Sequence, residues 1–151
     1  MRRACGPVAF GLAIGAVSLL TASTVTLALE MQITTVRAAE HGPSDAELSE
    51  LRPRLRRLAG YRSFQVVRVE HRQCPWQTTE AFKIPGGRLL RVVPKAMRDQ
   101  AVVMRVKLVE RRRALVDTDL RLQNGGVLLL GVEQDPRTPD RALIIMLRAE
   151  E

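Results

Sequence analysis

The sequence predicts a mainly β domain: one amphipathic helix, then seven or eight mostly antiparallel strands in a sandwich or small barrel, behind an N-terminal signal or anchor helix. Three observations lead to this class. Apolar residues alternate with polar ones around Ala101–Val109, with Val102, Met104, Val106 and Leu108 on one face. Turn signals recur at short intervals, Pro85-Gly86-Gly87 and Asn124-Gly125 among them. The 151 residues are 46% hydrophobic and 26% charged, which fits one globular domain and excludes a disordered chain.

The first element is the N-terminal segment. Arg2 and Arg3 are followed by Gly6 to Leu29, a run without any charge. This is the layout of an export signal, with small residues Ala22, Ser23 and Ala28 near its end for cleavage. As a helix the run is ~36 Å long, enough to cross ~30 Å of hydrocarbon, so an uncleaved anchor is the alternative. Gly11-x-x-x-Gly15 would let two such helices approach closely. Residues 1–29 are therefore assigned to a signal peptide or membrane anchor, and residues 30–151 to a single β-rich domain. Cleavage makes the domain periplasmic or secreted. Retention anchors it in the inner membrane through residues 6–29, with the domain on the outer side.

Past the signal, the chain carries 22 basic and 16 acidic residues, a net charge of +6. Cys74 is the only cysteine there, so no intramolecular disulfide is available, and burial is the ordinary fate of a lone cysteine.

Ile33–Val36 is β-branched and reads as a short first strand, broken by His41-Gly42-Pro43. Ser44 and Glu47 have the spacing of a capping box, and Leu48, Leu51, Leu55 and Leu58 form one helical stripe. The helix is expected over 45–59, ended by Gly60 and kinked or split by Pro53. Strands follow at Phe64–Val69, Thr78–Ile84, Leu89–Val93, Ala101–Val109 and Val116–Leu122. Asp117, Asp119 and Arg121 alternate with apolar residues, so opposite charges can pair across a hairpin with Arg105 and Lys107. Val127–Val132 and Ala142–Leu147 are nearly continuous apolar runs and read as central strands buried on both faces. Glu133–Asp140, with Pro136 and Pro139, reads as an exposed loop.

Three stretches carry a resemblance. They are Leu55-Arg56-Arg57-Leu58 with Tyr61-Arg62-Ser63-Phe64-Gln65-Val66-Val67, Ile84-Pro85-Gly86-Gly87-Arg88, and Leu120 through Gly131. Together they resemble small uncharacterised exported bacterial proteins built from a signal, a leucine-rich helix and strands. The resemblance implies an exported β-rich domain and brings no activity with it.

Candidate chemistry is sparse. Cys74 and His71 are tempting as a nucleophile and base, but a spacing of three puts them on opposite faces of one strand. Asp117 and Asp119 share a face, yet their alternation with Val116, Thr118 and Leu120 is that of a solvated outer surface. A small hydrolase on these groups is the weakest alternative. Asn124-Gly125-Gly126 lacks the Gly-Lys-Ser/Thr of a phosphate loop, and no Cys/His pairs have metal-ligand spacing, so no cofactor or metal is expected.

The arginine clusters are the stronger signal. Arg52, Arg56 and Arg57 on the helix, and Arg111, Arg112 and Arg113 at a turn, are candidate anion-binding residues. Anionic lipid or polysaccharide is the matching ligand class. Nucleic acid fits poorly, because the chain is only 3% aromatic and carries an export signal. Tyr61 and Trp76 combine large area with a polar handle and are candidate contact anchors, with a core role as the alternative. The functional expectation is a non-enzymatic exported or anchored domain acting through protein contacts in the cell envelope. A module for polyanions or anionic membrane surfaces is the alternative.

Overall fold

The computed structural model describes residues 28–132 and 141–151. The expected signal or anchor helix and the loop over 133–140 lie outside them, except for Ala28 and Leu29. Eight strands form two four-stranded antiparallel sheets. The first sheet has the order β2-β1-β8-β7, from Ser63–Pro75, Ala28–Ala39, Arg141–Glu150 and Val127–Val132. The second has the order β3-β4-β5-β6, from Glu80–Ile84, Arg88–Arg98, Ala101–Glu110 and Arg113–Gln123. Followed round both sheets, the strands stay in chain order, and the ladders break between β2 and β3 and between β6 and β7. The result is an up-and-down ring pressed into a sandwich.

Pleating explains the core. Leu29, Met31 and Ile33 of β1 and Ile145, Leu147 and Ala149 of β8 face the second sheet. They meet Val102, Met104, Val106 and Leu108 of β5, with Leu90 and Val92 of β4 and Phe82 of β3. The alternating face expected of β5 is thus the inward face, and all four of its residues are buried. On the opposite side of the first sheet, Val36, Ala38, Phe64, Ile144 and Met146 form a second cluster under Leu48 and Leu55.

The helical region differs from expectation. Ala46–Leu48 is a 3₁₀ turn, and the α-helix α1 runs only over Arg52–Ala59. Pro53 lies in the first turn of α1, where its missing N–H needs no partner, so the expected span is split ahead of it and not kinked. No capping box forms. The Ser44 hydroxyl instead accepts from the Phe64 N–H at 3.1 Å, and the Asp45 carboxylate accepts from the Val66 N–H at 2.6 Å. These bonds tie the segment to the start of β2. Gly60 ends α1 in the left-handed region, as expected. Of the leucine stripe, Leu48 and Leu55 are buried, while Leu58 is 46% exposed.

Several strands run past the expected boundaries, and three departures matter for the site. β1 begins at Ala28, so the last two residues assigned to the signal belong to a core strand. β2 extends to Pro75 and takes in His71 and Cys74. β7 is an edge strand, half-buried along most of its length, because its outer side faces the seam with β6 and not another ladder. β8 is the central strand expected: Ile144 to Leu147 are buried in succession, two toward each cluster.

The two ends of the sandwich are distinct. The start of β1, the Asp99-Gln100 turn and the Asn124-Gly125 turn share one end. Asn124 N–H donates to the Gln100 carbonyl at 2.9 Å and Gly125 N–H to Ala149 at 2.8 Å. The Pro85–Gly87 and Arg111–Arg112 turns lie at the other end, ~33 Å away along the ten residues of β5.

Candidate functional site

Pleating sends a second set of residues outward from the second sheet. Leu89, Arg91 and Val93 of β4 and Val103, Arg105, Lys107 and Val109 of β5 face away from the core, beside Asp117, Asp119 and Arg121 of β6. The α-helix lies on the first sheet, so among the described residues no layer covers this face.

Its charges are partly paired. Arg105 and Asp117 make two hydrogen bonds, at 2.9 and 3.2 Å. That contact holds the Asp117 carboxyl below its ordinary value and raises the Arg105 guanidinium. Lys95 reaches Asp119 at 2.8 Å, and Lys107 only approaches Asp117, at 3.9 Å. Cross-strand pairing is therefore present, although Arg105 reaches diagonally past its register partner Asp119. Both aspartates serve the surface ladder, and Asp117 is held ionised, which opposes a role as a general acid.

At the far end of this face lies a shallow depression of about 480 Å³. Arg91, Lys107, Arg111 and Arg112 line it, over Leu89 and Val109. Among the described residues no carboxylate pairs with Arg91, Arg111 or Arg112, and the lining includes no acidic residue. Arg111 and Arg112 form the two-residue turn from β5 to β6, with φ of 44° and 68°. Glycine and asparagine suit both positions far better than arginine does.

The other candidate residues are scattered. Arg113 leaves the turn as the first residue of β6, opposite Glu110. Arg52, Arg56 and Arg57 belong to α1, on the other layer of the molecule, so the two arginine clusters do not join. Arg52 is half-buried, Arg57 is exposed, and Arg56 borders a second shallow depression with Tyr61 and Arg62. Arg54 donates to the Val127 carbonyl at 3.2 Å and fastens α1 to the edge strand. Tyr61 packs against the helix-side cluster and Trp76 against the main core, each half-buried.

Cys74 and His71 do lie on opposite faces of β2. Cys74 is fully buried opposite Leu29, whereas His71 is exposed opposite Gln32. Burial, with Glu80 nearby, pushes the Cys74 thiol up to about 11, so it is a poor nucleophile at neutral pH. Among the described residues no group of three or more His, Cys, Asp or Glu side chains could hold a metal ion. No family model, curated protein or solved structure matches the chain.

Sequence reasoning found Arg111 and Arg112 but missed Arg91 and Lys107, which stand opposite each other on β4 and β5. The available signal was the outward phase of both strands: Arg91 falls between Leu90 and Val92, and Lys107 between Val106 and Leu108.

Proposed function

We propose that this chain is an exported or membrane-anchored, non-enzymatic domain that acts through protein contacts in the cell envelope, using the outer face of its second sheet. The observation that carries this reading is the composition of that face. Half-buried Leu89, Val93, Val103 and Val109 form an apolar strip that no layer covers among the described residues, set among Arg91, Lys95, Arg105 and Lys107. Cations outnumber carboxylates there, so the fitting partner is a protein surface that is acidic at its rim and apolar at its centre. Support also comes from the groups that would serve catalysis: Cys74 is sealed in the core and Asp117 is bound to Arg105. The apolar N-terminal run supplies the route to the envelope.

A photo-crosslinking residue at Val103, compared with one at Val67 on the exposed bulge of β2, tests this in the native envelope. A discrete adduct from Val103 that is missing from Val67 supports the reading. Adducts from neither position, or the same ladder from both, contradict it.

A further inference from the structure

We propose that the depression lined by Arg91, Lys107, Arg111 and Arg112 binds a phosphate-bearing group. Four cations converge there from β4, β5 and the β5–β6 turn, and among the described residues no carboxylate lines the site. Arginine forks suit phosphate oxygens, and a lysine adds a point charge. Lys107 is available because its one acidic neighbour, Asp117, already makes two hydrogen bonds to Arg105. Leu89 and Val109 form the floor, which lowers the local dielectric beneath the cations and strengthens their pull on an anion.

The turn itself adds an independent argument. Both arginines hold a left-handed backbone, at φ of 44° and 68°, in a turn where Asn-Gly would fold with less strain. The Asp99-Gln100 turn holds the same backbone, at φ of 50° and 61°, so the strain supports a role for Arg111 and Arg112 only together with the cationic lining they join. The helix cluster at Arg52, Arg56 and Arg57 has no such feature. The site also lies at the end of the sandwich away from Ala28, where the apolar N-terminal run joins.

The site shares Leu89, Arg91, Lys107 and Val109 with the proposed contact face, but the two fail separately, because crosslinking at Val103 does not require phosphate. Its test uses the full chain in a non-ionic maltoside, with amide shifts followed by two-dimensional NMR. Inorganic pyrophosphate and glycerophosphoglycerol, the deacylated head of an anionic lipid, are the probes. Shifts are expected at Gly87–Arg91 and Lys107–Ala114, weakening steeply with salt. Pyrophosphate alone would assign a free phosphate, and the glycerol diester a lipid head.

The deciding variant is Arg111→Asn with Arg112→Gly. It relieves the turn, so the melting temperature should rise while pyrophosphate affinity falls at least about tenfold, the scale set by two lost charge-assisted contacts. Absent shifts, shifts centred on Arg52–Arg57, or unchanged affinity in this variant would each overturn the proposal.

Discussion

The guanidinium of Arg72 lies 4.6 Å from the centroid of the Phe82 ring. Arg72 is on β2 and Phe82 on β3, the edge strands of different sheets that no ladder joins. The same arginine donates to the Ala81 carbonyl at 2.7 Å and pairs with Glu70 and with Glu80. One side chain thus closes the seam where backbone pairing stops.

Arg72→Ala should destabilise the domain by about 1–3 kcal/mol, from the lost ring contact and the unpaired Ala81 carbonyl. Arg72→Lys should recover only part of this, because an ammonium cannot stack and fork together. Urea unfolding of the three proteins measures it, and equal midpoints would show that the seam holds without Arg72.

Core substitutions should separate the two faces of the molecule. Leu90→Ala should cost ~2–5 kcal/mol, since Leu90 is fully buried between the sheets. Leu58→Ala should cost under ~1 kcal/mol, because that side chain is half exposed on α1. The same unfolding titration compares them.

The outcome for the helix and strands shows what was legible. The period-two face of β5 is legible because its inward residues, Val102, Met104, Val106 and Leu108, all join one apolar core. Val-Leu-Leu-Leu-Gly-Val is apolar throughout and predicts a central strand for β7, but composition does not say which strand ends a sheet. Pro53 predicts a kink or a split, and the sequence does not choose between them, because the 3₁₀ turn ahead of it is held to β2 by Asp45 and Ser44, a tertiary effect. The cationic depression is half legible: Arg111 and Arg112 adjoin in sequence, while Arg91 meets Lys107 only through strand register.

The thiol of Cys74 should be silent in the native state. At pH 8 an aromatic disulfide reagent should react with it only as fast as the domain opens, and stoichiometrically in denaturant. Its folded pKa is raised from 9.0 to about 11, so the stabilisation is present below pH 9. It is lost as pH rises from 9 to 11, where the unfolded chain gives up the proton and the native chain keeps it. A Cys74→Ala variant should lack that part of the alkaline slope. Rapid native-state labelling would refute the burial.

The N-terminus of the exported form should retain Leu29. That side chain and Met31 are fully buried in the core. A chain beginning at Gln32 loses both, about 3–6 kcal/mol at ~1.5–3 kcal/mol for each buried side chain. The intact mass of protein recovered from the envelope places the cut, and a mature chain starting at Glu30 would contradict this account.

The most direct test of the central claim is a labelling footprint with a membrane-impermeant maleimide. Val103→Cys and Val67→Cys are each labelled in outer-membrane-permeabilised cells and as purified protein, with Cys74 left buried in place. An exported domain with a partner on its second sheet predicts that both sites are reached. It also predicts that Val103→Cys reacts several-fold more slowly in cells than when purified, while Val67→Cys reacts equally in both. No labelling of either site in cells would contradict export, and equal rates for Val103→Cys in both settings would contradict the contact face.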